Sequence, residues 1–130
     1  MKKELKHILC VDDEADILEV TKMCLEVVGE YKVTTLSSGA EAIKQVSDIK
    51  PDLILLDVMM PQMDGPATLA ELRKKPELND IPVIFMTARI QKKEVDEYYS
   101  HGASGVISKP FEPMELAGQI QQIWEKIHDR

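Results

Sequence analysis

The sequence predicts an α/β fold in which a parallel sheet is covered by helices. The run Leu53-Ile54-Leu55-Leu56 is apolar without alternation, which suits a strand buried on both faces, as in parallel sheets. Segments of strand type and of helix type alternate five times along the chain. Such alternation predicts parallel strands joined by right-handed crossovers. With 130 residues, the chain has the length of one domain with one core.

Five segments are predicted as strands from their apolar, β-branched and aromatic residues. They span residues 7–11, 31–36, 52–57, 81–86 and 104–108. The third and fourth are continuous apolar runs, which is typical of central strands. Pro76 and Pro82 bracket a predicted loop before the fourth strand.

Five segments with apolar residues three and four apart are predicted as amphipathic helices. They cover residues 14–28, 38 to about 47, 66–74, about 92–100 and 113 to about 128. In the first, Val28 completes the apolar set and Gly29 is a natural stop. Ser38 and Glu41 have the spacing of a capping box for the second helix. Asp64 is a predicted N-cap for the third.

The composition argues against several classes of function. The net charge of −7 is unlike that of a nucleic-acid-binding surface, which is normally basic. No apolar run reaches the roughly 18 residues of a membrane helix, and no long apolar region follows Met1-Lys2-Lys3-Glu4, as a signal peptide would require. Cys10 and Cys24 lie in apolar contexts, as small buried side chains in a reducing compartment do. We therefore expect a cytoplasmic protein without direct nucleic-acid contact or membrane insertion.

Polar residues follow four of the five predicted strands. Asp12 and Asp13 follow the first, Asp57 ends the third, Thr87 follows the fourth and Lys109 the fifth. Parallel strands bring their carboxyl ends to one edge of the sheet, where α/β proteins bind ligands. Because an unpaired acid inside a strand is costly, Asp57 is expected at the strand end, at the surface.

Three carboxylates at one edge favour a bound cation. Two such charges about 4 Å apart repel by roughly 4 kcal/mol at an effective dielectric of 20, and one lysine cannot offset three of them. Mg²⁺ uses carboxylates, water and substrate phosphate as ligands, and the carbonyl of Met59 offers a further oxygen. Asp57 then becomes a candidate nucleophile towards phosphorus. The metal, Lys109 and Thr87 would contact the outer oxygens of the transferred group.

Four motifs together resemble the receiver domain of two-component response regulators, most closely its single-domain, chemotaxis-type form. They are Val11-Asp12-Asp13-Glu14, Leu56-Asp57-Val58-Met59-Met60-Pro61 with Asp64-Gly65, Met86-Thr87-Ala88, and Ser108-Lys109-Pro110-Phe111. The resemblance implies a flavodoxin-like (βα)5 three-layer sandwich with strand order 2-1-3-4-5. It also implies a single receiver domain over residues 1–130, with a core of about 6–128.

The resemblance also assigns roles to the acidic residues. Asp57 corresponds to the phosphoacceptor and Asp13 to a direct Mg²⁺ ligand, while Asp12 acts more through water. The carbonyl of Met59 corresponds to the backbone ligand. Together with Arg89, Met59 is expected to border the path of attacking water and to set the lifetime of the phosphorylated state.

The switch residues follow from the same resemblance. Thr87 corresponds to a hydroxyl that moves towards the phosphoryl group, and Lys109 to the amine that pairs with that group. The bond between Lys109 and Pro110 is expected to be cis. Many receivers carry an aromatic residue three positions before the lysine, where this chain has Val106. We expect switching to use Thr87 and the 88–91 loop, or a different surface.

The resemblance implies protein partners. The phosphoryl donor would be a sensor histidine kinase or a histidine phosphotransfer protein. A downstream target would bind the surface formed by the fourth helix, fifth strand and last helix, where Tyr98, Tyr99 and Trp124 are either exposed contacts or packing residues. The implied function is a phosphorylation-dependent switch and not an enzyme, apart from self-catalysed phosphotransfer and autodephosphorylation.

Two alternatives remain open from the sequence. A degenerate receiver would serve only as a binding module. A Mg²⁺-dependent phosphatase of the haloacid-dehalogenase type would also use an aspartyl nucleophile, but it resembles a D-x-D arrangement, and the second position here is Met59.

Overall fold

Five parallel strands form one sheet in the order β2-β1-β3-β4-β5. The computed structural model describes residues 4–128, so the ends of the predicted 1–130 domain and most of the segment considered as a signal peptide lie outside the described residues. The strands are β1 (His7–Val11), β2 (Lys32–Leu36), β3 (Leu53–Asp57), β4 (Val83–Thr87) and β5 (Gly105–Ser108). The α/β class and the flavodoxin-like strand order are thereby confirmed.

The predicted helices are present at the expected places. They are α1 (Ala15–Val27), α2 (Gly39–Ile49), α3 (Gly65–Leu72), α4 (Lys92–Ser100) and α5 (Pro113–His128). The predicted loop before β4 also contains a 3₁₀ turn, Pro76–Leu78. The Arg73 guanidinium donates hydrogen bonds to the carbonyls of Leu78 and Ile81, at 2.8 and 2.9 Å, and so ties this connection to α3.

Side-chain caps begin two of the helices as predicted. The Ser38 hydroxyl accepts a hydrogen bond from the Glu41 N–H at 3.1 Å, and the Asp64 carboxylate accepts one from the Ala67 N–H at 2.9 Å. The Glu41 carboxylate accepts from the Ser37 hydroxyl at 2.8 Å, a contact that the predicted capping box did not include. The bonds to Ser38 and Asp64 satisfy N–H groups that have no partner within the helix.

Several elements begin or end one or two residues from their predicted bounds; β4, for example, spans Val83–Thr87 instead of 81–86. Val28 lies beyond α1 and is 41% exposed, so it does not complete the buried face. Asp52 lies just before β3, where its carboxylate accepts hydrogen bonds from the backbone N–H groups of Lys6 and His7, at 3.0 and 2.9 Å. Its side chain thus ties the start of β3 to β1.

Helices cover both faces of the sheet. One core cluster joins the sheet to α2, α3 and α4 through residues such as Val46, Leu69 and Tyr98. The other joins it to α1 and α5 through residues such as Leu25 and Ile120. All five residues of β3 and all five of β4 are buried, as continuous apolar strands in a parallel sheet should be. Within residues 4–128, no helix is long and apolar enough to cross a membrane.

Two glycines provide a paired test of this packing. Gly118 lies within α5, and an added Cβ there would meet no atom within 4 Å. Because glycine is a poor helix former, Gly118→Ala is expected to raise the free energy of unfolding by about 0.5–1 kcal/mol. Urea denaturation followed by circular dichroism measures this change.

Gly65→Ala is the matched control. Its Cβ would lie 2.7 Å from the Asp57 carbonyl oxygen and 2.9 Å from the Val58 Cα, both of which are backbone atoms. We expect this variant to be destabilised by about 1–3 kcal/mol, the usual range for overpacking. Equal effects from both substitutions would contradict this difference in packing between Gly118 and Gly65.

Candidate functional site

The carboxyl ends of the strands bring the predicted polar residues together. Asp57 is the last residue of β3 and lies beside Met86 of β4 in the sheet register. Asp12 directly follows β1, and Lys109 directly follows β5. We call Asp12, Asp13 and Asp57 the acidic pocket.

Lys109 joins two carboxylates of the acidic pocket. Its Nζ atom donates to Asp12 Oδ2 at 2.8 Å and also lies 2.8 Å from Asp57 Oδ1. The other oxygen of Asp12 accepts from the Glu14 N–H at 2.9 Å, which fixes its carboxylate at the start of α1. The backbone N–H of Lys109 donates to the carbonyl of Thr87 at 2.9 Å, and its bond to Pro110 is cis, as expected.

Asp57 is buried, which corrects the expectation that it lies at the surface. It ends its strand as predicted, but only 4% of it is exposed, and Asp12 is equally buried. A surface position is expected of an unpaired acid, whereas Asp57 is paired with Lys109, and this ion pair replaces part of the lost hydration.

Burial changes the acidity of this carboxyl group. Desolvation is the largest cause that raises the pKa of Asp57 to about 6, and the charges of Asp12 and Asp13 add to it. The hydrogen bond from Lys109 opposes the rise without cancelling it. For Lys109, burial alone would lower the pKa, but its bonds to Asp12 and Asp57 outweigh burial and raise it. The charged form of Lys109 is therefore stabilised by the two carboxylates that share it. The ionised form of Asp57 is nevertheless disfavoured.

The acidic pocket has the donor atoms for a hard cation. One carboxylate oxygen each from Asp12, Asp13 and Asp57 lies within 4.8 Å of the others, and Asp13 is exposed towards solvent. Among the described residues, Lys109 is the cation in ion-pair contact with this group. Oxygen ligands with excess negative charge fit Mg²⁺, which keeps several waters when bound by proteins. The predicted carbonyl ligand belongs to Met59, which is 58% exposed in the loop after β3.

Thr87 lies at the end of β4 and is almost fully buried. Its hydroxyl oxygen accepts a hydrogen bond from the Arg89 N–H at 3.0 Å. This bond fixes the start of the 88–91 loop, whose four residues are all exposed. Thr87 therefore connects the strand-end edge to the loop that leads into α4.

Gly65 supports the acidic pocket in a way that the sequence analysis did not identify. Its N–H donates to the Val58 carbonyl at 2.9 Å, and no Cβ would fit beside the Asp57 backbone. The signal was present in the Asp64-Gly65 motif, but close backbone approach became visible only in three dimensions.

The aromatic residues of the predicted target surface divide into two groups. Tyr98 and Trp124 are buried, at 7% and 3% exposure, so they are packing residues, whereas Tyr99 is 50% exposed. Val106 is partly buried against the same core cluster as Tyr98. Of the three aromatics considered, the structure leaves Tyr99 accessible to a partner.

Known proteins share both the sequence pattern and the fold. The family model described as the response regulator receiver domain matches residues 8–121. A probable transcriptional regulator of Cyanidium caldarium, ycf27, is 39% identical over 128 residues, which are 98% of this chain and 50% of that protein. The response regulator SaeR of Staphylococcus aureus is 39% identical over 120 residues, covering 92% of this chain and 50% of that protein. The chain thus spans about half the length of these curated relatives.

Solved structures match along nearly the whole chain. The chemotaxis protein CheY4 of Vibrio cholerae superposes with a TM-score of 0.85 at 28% identity, covering 92% of this chain and 99% of that chain. The receiver domain of a histidine kinase from Syntrophus aciditrophicus has a TM-score of 0.81 at 34% identity, with coverages of 96% and 94%. The resemblance stated from the motifs is confirmed, and the chain belongs to the response regulator receiver domain family of two-component signalling proteins.

Proposed function

We propose that this domain is a signalling switch that is phosphorylated on Asp57. The phosphoryl group comes from a phosphohistidine on a sensor histidine kinase or a histidine phosphotransfer protein, and its arrival changes partner binding. The observation that carries this proposal is the position of Lys109, 2.8 Å from both Asp12 and Asp57 in a buried site. Membership of a signalling-domain family supports the same conclusion.

Asp57 acts as the nucleophile in this proposal. An oxygen of its carboxylate forms a bond to phosphorus while the bond between phosphorus and the donor imidazole nitrogen breaks, and that nitrogen keeps the electron pair. Lys109 holds the carboxylate beforehand and then pairs with a phosphoryl oxygen, where negative charge is spread in the transition state. The Thr87 hydroxyl contacts another phosphoryl oxygen once it turns away from the Arg89 N–H.

Mg²⁺ is the proposed cofactor. Asp13 and Asp57 would hold it directly, Asp12 would act more through water, and the carbonyl of Met59 would complete the protein ligands. When bound, the ion supplies positive charge that neutralises the phosphoryl oxygens. The excess of carboxylate over ammonium charge around Lys109 supports this assignment.

The proposed partners use two different surfaces. An apolar cavity of about 330 Å³ borders Lys109 and would receive the phosphoryl donor; its lining includes Ile17, Val20, Ala88, Pro110 and Phe111. A downstream target would bind the face formed by α4, β5 and α5, to which Tyr99 contributes an exposed ring. One relative is named as a probable transcriptional regulator, so the absence of nucleic-acid contact stays a prediction, as does the cytoplasmic location.

The exposed residues beside the acidic pocket are proposed to set how long the phosphoryl group stays. Met59 is 58% exposed, and Arg89 is exposed at the start of the 88–91 loop. Both positions lie two residues beyond a reacting residue, Asp57 or Thr87. Hydrolysis of the aspartyl phosphate by water entering between them is the autodephosphorylation expected of this domain.

Chemical phosphorylation tests the role of Asp57. Incubation with acetyl phosphate and Mg²⁺ is expected to give one phosphoryl adduct by intact mass spectrometry, because the small donor replaces the phosphohistidine. Asp57→Asn should abolish the adduct. The matched control, Asp96→Asn, changes an exposed carboxylate on α4 and should leave the adduct intact.

Other outcomes would support other functions. No adduct on the unaltered protein would indicate a degenerate receiver that serves only as a binding module. Rapid turnover of many phosphomonoesters would indicate a phosphatase. An adduct that persists in Asp57→Asn would place the reaction on a different residue and contradict the proposal.

Removing the charge of Asp57 is expected to stabilise the metal-free protein. The pKa of this carboxyl group is 3.8 when unperturbed and about 6 in the folded state, so its favourable contribution is complete below pH 3.8 and is lost as pH rises through about 6. Above that pH the folded protein must hold the ionised form. Asp57→Asn should therefore raise the free energy of unfolding by about 1–3 kcal/mol at pH 7.5 in chelator.

Urea denaturation at several pH values measures this gain. It should shrink as pH falls from 6 towards 4, because Asp57 of the unaltered protein then becomes neutral. Asp96→Asn, which removes one partner of an exposed ion pair, should change stability by only a few tenths of a kcal/mol. A less stable Asp57→Asn variant at pH 7.5 would show that the pair with Lys109 outweighs burial and repulsion.

A further inference from the structure

We propose that Tyr98 is the residue that couples the strand-end site at Thr87 to helix α4. The inference rests on the proposed function, since it concerns how the phosphorylated state is transmitted. The coupling uses the buried contact between the rings of Tyr98 and Phe85, and Phe85 lies two residues before Thr87 on β4. In this coupling Val106 does not have to move.

Tyr98 is the buried anchor of α4. Among the nine described residues of this helix, it alone is buried, and the others are exposed or partly exposed. Its ring meets the ring of Phe85 edge to face, with centroids 5.5 Å apart and an interplanar angle of 89°. Phe85 is fully buried in the centre of the sheet. The position of α4 on the sheet therefore depends on this one contact more than on any other of its side chains.

Phe85 also leads directly to the proposed phosphorylation site. Side chains two residues apart on a strand project from the same face, so Phe85 and Thr87 lie on the face that α4 covers. A movement of Thr87 towards the phosphoryl group displaces the end of β4, and Phe85 is the next side chain of that face. Its edge-to-face contact passes the displacement to Tyr98.

The other connections between Thr87 and α4 are less suited to this role. The 88–91 loop is exposed along its whole length, so few packed contacts exist to transmit a movement. Val106 lies opposite Phe85 on β5 and packs against the same cluster, but a β-branched side chain has little freedom to change its rotamer. Tyr98 is thus the side chain of α4 that senses β4 through a packed contact.

Beryllofluoride with Mg²⁺, a stable mimic of a phosphoryl group on aspartate, provides the test. Backbone amide chemical shifts are recorded with and without it for the unaltered protein, Tyr98→Leu, Tyr98→Phe and Tyr99→Leu. The unaltered protein should respond around Asp57 and Thr87 and also along α4. Tyr98→Leu should keep the first response and lose the second, whereas Tyr98→Phe, which retains the ring, and Tyr99→Leu, which changes an exposed neighbour, should keep both.

Affinity gives a second measurement that a merely structural role would not change in this direction. If α4 resists the movement of Thr87 through Tyr98, releasing it removes that resistance, and Tyr98→Leu should bind beryllofluoride about 5-fold more tightly or better. A response along α4 that is unchanged in Tyr98→Leu would overturn the inference, as would equal or weaker binding. No response around Asp57 in the unaltered protein would instead contradict the proposed function itself, so the two failures are distinguishable.

Discussion

The ammonium group of Lys109 lies 2.8 Å from two carboxylates that are almost completely buried, and the arrangement of this edge of the sheet depends on it. Asp12 follows β1, Asp57 ends β3 and Lys109 follows β5. Because β4 lies between β3 and β5, the side chain of Lys109 reaches across the end of β4. Without the ammonium group, two buried charges would face each other with no counter-charge, which is among the most costly defects a protein can have. The ion pairs therefore hold three separate chain segments in register at their ends.

The ion pairs of Lys109 leave an excess of negative charge in the acidic pocket. One ammonium group serves Asp12 and Asp57, and Asp13 adds a third carboxylate within 4.8 Å. Burial is the largest cause of the raised pKa of Asp57, and the charges of Asp12 and Asp13 add to it against the hydrogen bond from Lys109. A site of this kind is unfavourable until positive charge enters it. In the proposed switch, this unfavourable charge lets metal binding and phosphoryl transfer shift the conformational equilibrium of the domain.

Particular residues show where sequence reasoning succeeded and where it could not. The end of β3 was predictable because a continuous apolar run that stops at a carboxylate, as at Asp57, is typical of a buried strand that ends there. The burial of Asp57 was not, because it depends on a partner 52 positions away in the chain, Lys109, whose contact only the folded topology creates. Tyr98 and Trp124 show the same limit: an aromatic residue on a thin apolar stripe is equally compatible with packing and with exposure until the neighbouring elements are in place. The 3₁₀ turn before β4 depends similarly on the reach of Arg73.

The sparse packing of helix α4 bears on how the domain would respond to a change in the charge of the acidic pocket. In the proposed switch the acidic pocket gains the charge of a phosphoryl group, but Asp57 lies at the edge of a sheet whose central strands are completely buried, so any displacement of these strands is small. A small displacement at the end of β4 therefore has its largest effect where packing is least dense. Helix α4 meets that condition, because its polar surface is held to the sheet by Tyr98 against Phe85 and by little else among its described side chains. The buried sheet thus holds the acidic pocket in place at one edge, and α4, with one buried residue, is the described helix most free to move in response.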